Sequence, residues 1–245
     1  MADRSSDSPT GNDATNRLRE SLASRGLGLL AVILVERLPA SLRAAITENA
    51  VRAGLGGESN AWRVLVAGNI GGAFWNRITP AVRTADDPVD TYSASCLTEV
   101  FGDLHANSGL ALIYPGICTF SLQQLGELCG WGVPSWLGIS IHPEMGTWFA
   151  FRAVAVTDAP LAATTPAAAG DACLACRSRD CLEACPVDAP GRPGQFDLKA
   201  CLSHRLSPAS ACATTCLARV ACPVGASRRY TCEAIDYFYT KSLDS

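Results

Sequence analysis

Eight of the twelve cysteines of this 245-residue chain fall between residues 173 and 222. The first run, CLACRSRDCLEACPVDA, is C-x2-C-x4-C-x3-C-P and contains Cys173, Cys176, Cys181 and Cys185. The second, CLSHRLSPASACATTCLARVACPVG, is C-x10-C-x3-C-x5-C-P and contains Cys201, Cys212, Cys216 and Cys222. Thiolates this dense are soft ligands, suited to zinc or to iron–sulfur clusters. A disulfide scaffold would need an oxidising compartment, and residues 1–17 show neither a hydrophobic signal region nor a small-residue cleavage site. The expected location is therefore the cytoplasm, and the expected use of the cysteines is metal binding.

A 4Fe-4S cubane has four iron corners, each taking one thiolate. A short loop can wrap three of them before the chain must leave. In bacterial two-cluster ferredoxins the run is C-x2-C-x2-C-x3-C-P, with the fourth cysteine crossing to the other cluster. The present runs resemble two such halves, each closed by Cys-Pro, with two further residues between Cys176 and Cys181. On that pattern Cys173, Cys176, Cys181 and Cys222 hold one cluster, and Cys185, Cys201, Cys212 and Cys216 the other. Zinc remains the alternative, although a zinc ribbon would show two C-x2-C knuckles and this chain has one such pair and two Cys-Pro endings. Cys96, Cys118, Cys129 and Cys232 have no ligand spacing and read as small buried hydrophobes.

The elements that must position these cysteines follow from pattern. The net charge is −3 and the pI about 5.6, which speaks against a surface built for nucleic acid. The longest apolar run, Gly26 to Val35, is too short to cross a bilayer, so no membrane is expected. That run and residues 62–69 read as buried strands, and 109–116, 136–143 and 148–158 as further strands. A helix opens at Asp86-Asp87-Pro88 and runs to about His105, and another begins near Phe120. The Ala/Pro-rich stretch 159–170 reads as a linker. The expected organisation is a disordered tail at 1–17, an α+β domain at 18–158, the linker, and a small cysteine-stapled domain at 171–245 whose own apolar content is thin.

No G-x-G-x-x-G frame, P-loop, nucleophile elbow or hydrolytic triad is present, and three scattered histidines cannot form a facial triad. The informative stretch is SWLGISIHPEMGTWFAFRAVAVTD, residues 135–158. Taken alone, an arginine within an apolar strand is usually solvated on the outer face, and Trp148 and Phe149 are usually core.

The segment LGISIHPEMGTWFAFRAVAV nonetheless resembles a G-x-x-I-H-P-x-x-G-x-W-F-A-x-R pattern of the CblC-type cobalamin-processing family, and DDPVDTYSASCL resembles that family's D-P-V-D helix. The cysteine module after the W-F-x7-T-D strand end resembles epoxyqueuosine reductase, a cobalamin enzyme with two 4Fe-4S clusters. Both resemblances imply a nitroreductase-like sandwich around a corrinoid, here followed by a ferredoxin-like two-cluster domain. They imply that Gly138, Ile139, Ser140, Ile141 and His142 lie along the corrin, with Trp148, Phe149 and Tyr114 nearby, and that Arg152 acts on the reacting ligand. His142 is either a cobalt ligand or the holder of its own His-Pro turn. The implied activity is reductive processing of cobalamin, by removal of its upper ligand or reduction of cobalt. Electrons would come from flavodoxin, ferredoxin or a reductase through the clusters. Two alternatives stay open: a cobalamin-dependent reductase of another substrate like epoxyqueuosine reductase, and a non-catalytic corrinoid carrier or ferredoxin. The acidic pI and the short stretch after Cys222 weigh against a tRNA-binding helical repeat.

Overall fold

The computed structural model describes residues 9–78, 86–116, 118–166, 170–192 and 195–243. It divides into two compact units: Met1–Ile70, Asn76–Leu122 and Ala150–Pro166 form the first, and Gly71–Trp75, Gln123–Phe149 and Ala167–Ser245 the second.

The first unit is built on a four-stranded sheet. Helix α1 (Pro9–Ser24) ends where Gly26 takes φ +93°, a left-handed position that glycine adopts without strain. Strand β1 (Leu29–Leu34) follows, then α2 (Ala40–Arg52), β2 (Arg63–Ile70), α3 (Pro88–Leu104) and β3 (Leu110–Tyr114). Helix α4 (Leu122–Leu128), β4 (Val133–Pro134) and β5 (Ser140–Ile141) lead to β6 (Phe149–Thr157), which returns to the sheet. The strand order is β1-β2-β6-β3, with β1 antiparallel to β2 and β3 antiparallel to β6. The inner strands β2 and β6 are buried on nearly every residue rather than alternating, as strands covered on both faces must be. Helices α1 and α3 pack on each other and against β1 and β3, and α2 packs against β3.

Three sequence expectations change here. Residues 9–17 of the expected tail are the first turns of α1; residues 1–8 lie outside the described residues. The polar composition of that stretch hides Thr15, Leu18 and Leu22 at helical spacing, all buried, and the Thr15 hydroxyl donates to Ala162 O at 3.1 Å. The expected linker at 159–170 is, up to Pro166, part of the first unit: Ala159, Leu161 and Ala162 are buried. Thr164 N–H donates to Val32 O at 2.9 Å, covering the edge of β1 that β2 leaves open. Small residues that look like low-complexity spacer are also what permits such close apposition. Third, residues 136–143 are not a full strand. Ser140–Ile141 pairs with Val133–Pro134 and His142 bridges only to Gly146, with Gly138 at φ +71° turning the chain sharply before them.

The second unit also takes in residues that the sequence places with the N-terminal domain. Leu137 and Ile141 join Cys173, Cys181, Ala218 and Cys222 in its core, with Val133 and Trp136 packed against them. These apolar residues supply what the cysteine stretch lacks. Short helices carry the rest: α5 (Ala172–Ala175), α6 (Asp180–Glu183), α7 (Leu198–Arg205), α8 (Leu217–Ala221) and α9 (Cys232–Lys241). Among the described residues, no helix is long and apolar enough to cross a membrane.

Candidate metal centres

The eight clustered cysteines line two cavities of the second unit. Cys173, Cys176, Cys181 and Cys222 line the first, together with Trp136, Ile141 and Arg179. Its walls come from local turns: the Asp171 carboxylate accepts from Leu174 N–H at 2.9 Å and starts α5, and Cys176 ends it. The two additional residues before Cys181 are spent on a bend in which Arg179 adopts φ +51°, after which α6 begins. Burial pushes the Cys173, Cys181 and Cys222 thiols up, Cys181 to about 11, and the neighbouring thiols push further. For Cys181 those neighbours are Cys222, Cys173 and Cys176.

The second cavity, of about 180 Å³, is lined by Cys185, Cys201, Cys212 and Cys216. Burial raises the Cys201 thiol first, then the charges of Cys216, Cys185 and Cys212, against an opposing effect of Arg205. Cys216 caps α8, its sulfur accepting Arg219 N–H at 3.4 Å, and burial raises it as well. Thus Cys185 from the first run stands in the second cavity, and Cys222 from the second run in the first.

Four thiolates in one partly buried cavity cannot all ionise without a compensating cation, which is what a metal group supplies. Among the described residues, no three His, Cys, Asp or Glu side chains converge closely enough to hold a single ion. Four soft sulfur donors per cavity are of the kind that zinc and iron–sulfur clusters both take.

Two arginines brace this arrangement, and nothing in the sequence pattern marked them. Arg205, buried, donates to Cys212 O and Ala213 O at 3.3 Å and to Tyr239 O at 2.5 Å, tying the Cys212 turn to α9. Arg219 donates to Thr147 O at 2.5 Å and stacks over the Trp148 ring at 4.6 Å and Tyr230 at 5.3 Å. The available signal was position alone: each lies three or four residues after a clustered cysteine.

The stretch 138–149 belongs to the same unit. His142 Nδ1 accepts from Glu144 N–H at 3.1 Å and Met145 N–H at 3.2 Å, so the ring holds its own turn and only Nε2 remains for any other partner. Burial lowers its pKa. A Cβ on Gly146 would meet Val224 O at 2.0 Å, and one on Gly225 would meet Met145 O at 2.2 Å. The His-Pro turn therefore lies backbone to backbone against the turn that follows Cys222-Pro223. Trp148 is fully buried and Ile141 and Phe149 nearly so, whereas Gly138 and Ser140 are partly open and Ile139 is 36% exposed.

Arg152 and Tyr114 belong to the first unit. Arg152 is only 8% exposed and its Nε donates to Asn69 Oδ1 at 2.5 Å. The outer-face reading of this arginine is thereby overturned, because β2 beside it offers a buried acceptor. Tyr114 follows a register shift between Leu112 and Tyr114 that re-aims the end of β3. Its phenol pKa is raised by burial first and by Asp90, with an opposing effect of Arg152.

No family model and no curated protein matches the chain. Solved structures define its class by fold: a mixed α/β architecture shared with reductases and a B12-trafficking protein. Epoxyqueuosine reductase bound to an epoxyqueuosine-modified tRNA-Tyr stem loop is 15% identical, with TM-score 0.58 over 91% of this chain and 68% of that one. The Bacillus subtilis epoxyqueuosine reductase is 14% identical, with TM-score 0.56 over 90% of this chain and 67% of that one. The C. elegans B12-trafficking protein CblC, a homologue of human MMACHC, is 12% identical, with TM-score 0.50 over 93% and 91% of the two chains. At such identities the likeness is one of fold.

Proposed function

We propose that the chain is an iron–sulfur oxidoreductase that reductively processes cobalamin. In this reading the first unit corresponds to the nitroreductase-like sandwich and the second, which takes in residues 123–149 as well as the cysteine stretch, to the ferredoxin-like two-cluster module. Cys173, Cys176, Cys181 and Cys222 hold one 4Fe-4S cluster, and Cys185, Cys201, Cys212 and Cys216 the other. The single observation that carries it is the sorting of eight cysteines into two cavities of four. The clusters supply one-electron transfer, fed by flavodoxin, ferredoxin or a reductase. One electron delivered to cobalt(III) cyanocobalamin yields cobalt(II) and free cyanide.

The chain's own residues do the holding. Gly138, Ile139 and Ser140 offer accessible backbone and side chain to the corrin, while Ile141, His142, Trp148 and Phe149 keep that segment in shape from behind. Within the first unit, Arg152 is oriented by Asn69 and is assigned to a polar group of the substrate, with Tyr114 in its electrostatic reach. Charged hydrogen bonds of this kind contribute about 1.5–3 kcal/mol.

A second reading, a cobalamin-dependent reductase of another substrate, is favoured by Tyr114 and Asp90 beside Arg152. Many reductions of an organic substrate consume protons as well as electrons, and the Tyr114 phenol carries one, although burial and Asp90 make it a weaker acid than a free phenol. Release of an anionic upper ligand needs none.

The test is anaerobic reconstitution of the full chain followed by iron and sulfide analysis and turnover with cyanocobalamin. About eight iron and about eight sulfide per chain are expected, with repeated formation of cobalt(II) cobalamin and cyanide under a chemical reductant. Stoichiometric zinc without iron overturns the cluster assignment. Loaded clusters without any cobalamin binding leave only an electron carrier.

A further inference from the structure

Each cysteine cavity is walled by a residue with one buried nitrogen that no protein atom pairs with. Trp136 Nε1 and His204 Nε2 are both inaccessible and without a hydrogen-bond partner. Trp136 lines the first cavity and His204 the second. The other buried polar atoms without a partner among the described residues, such as Trp62 Nε1 and Trp148 Nε1, line neither cavity. A buried donor is rarely left unmet in a folded protein, and when one is, an ion or ligand usually accepts from it.

Placement narrows the acceptor to sulfur. Trp136 lines the first cavity together with Cys173, and its backbone N–H opposes the upward shift of the Cys173 thiol. The Arg179 guanidinium, which lines the same cavity, lies 5.3 Å from the indole centroid. His204 lies three residues after Cys201 in α7, on the same face of the helix. Indole Nε1 is a donor only, and imidazole Nε2 donates in one of its tautomers.

We propose that Trp136 Nε1–H and His204 Nε2–H are outer hydrogen-bond donors to the sulfur atoms of the two clusters, one donor for each, and that they set the two reduction potentials. The inference rests on the cluster assignment above. Reduction adds negative charge to the cluster sulfurs, so a donor aimed at them stabilises the reduced form and raises the potential. The donors also make the pair unequal, because an indole and an imidazole differ in donor strength.

The experiment is a redox titration, followed by electron paramagnetic resonance, of the full reconstituted chain and of Trp136→Phe, His204→Leu and His204→Gln. Trp136→Phe should lower the potential of one cluster, reducing its reduced-to-oxidised ratio at fixed potential about tenfold, or 59 mV for a one-electron couple. His204→Leu should do the same to the other cluster, and His204→Gln, which keeps an N–H, should restore most of it. Unchanged potentials in both donor-less variants, with iron content intact, overturn the proposal and leave the cluster assignment standing. A wild-type chain that never takes up iron fails the assignment itself. Should a variant not load, the reduced wild type labelled with 15N in its tryptophan indoles and histidine imidazoles decides: 15N couplings at both clusters uphold the donors, and their absence overturns them.

Discussion

The two units solve the same problem with different materials. In the first, Val64, Leu65, Val66 and Ala67 on β2 and Ala153, Val154, Ala155 and Val156 on the neighbouring β6 are all fully buried. Such a core is complete in itself. In the second, half of the buried core cluster is cysteine, namely Cys173, Cys181 and Cys222 beside Leu137, Ile141 and Ala218. Thiols pack as small hydrophobes, but four around one cavity are also soft metal donors. The difference teaches that one sheet core is built from aliphatic side chains alone, whereas the cysteine-rich core would be held further by a metal group on the proposed reading.

Removing iron should break the comparison most. A structural metal group contributes on the order of 10 kcal/mol to a small module. Chelation, or Cys181→Ser, should therefore open residues 170–243 to limited proteolysis while 9–70 stays resistant. Equal resistance with and without iron would show that the second unit has a self-sufficient core after all.

Leu65→Ala probes the opposite side. A fully buried leucine truncated in β2 should lower stability by about 2–5 kcal/mol, and iron content should be unchanged as long as the chain folds. Thermal melting and iron analysis of the same sample test both halves.

Arg152→Gln is expected to cost about 1.5–3 kcal/mol through its buried bond to Asn69, and to weaken cobalamin affinity or turnover by about tenfold or more. Cluster content should not move. Calorimetry with unaltered cobalamin affinity and rate would confine Arg152 to the sheet.

The smallest expected effect is on pH. Burial holds the His142 pKa below its unfolded value of about 6.5, so the folded state binds fewer protons over that interval. Its contribution to stability is full above about pH 6.5 and falls as pH drops through the folded pKa, when protonation of Nδ1 breaks the bonds to Glu144 and Met145. His142→Gln should flatten this part of the stability-versus-pH curve; an unchanged curve would assign the pH dependence elsewhere, with His105 next in line because burial lowers it too.

Much of the sheet was legible because its strands are short apolar runs bounded by turn residues: β1, β2, β3 and β6 lie where the pattern puts them, and α3 opens at Pro88. Helix α1 was not, since seven polar or small residues outweigh Thr15 and Leu18 in any composition window. The packing of 159–166 along β1 was hidden for a similar reason. Alanine and proline say little about whether a segment is loose or tightly apposed.

Spacing in the sequence determined which cysteines form the two runs and that each run ends by leaving its own loop, because a wrap of a few residues is a local matter of chain reach. The tertiary structure alone decided the rest. It drew 123–149 into the cysteine unit, where Gly146 meets Gly225 and Arg219 covers Trp148, and it buried Arg152 against Asn69. These are contacts between residues 71 to 83 positions apart. Their energy comes from close packing and paired polar groups, which no local pattern of residue types encodes.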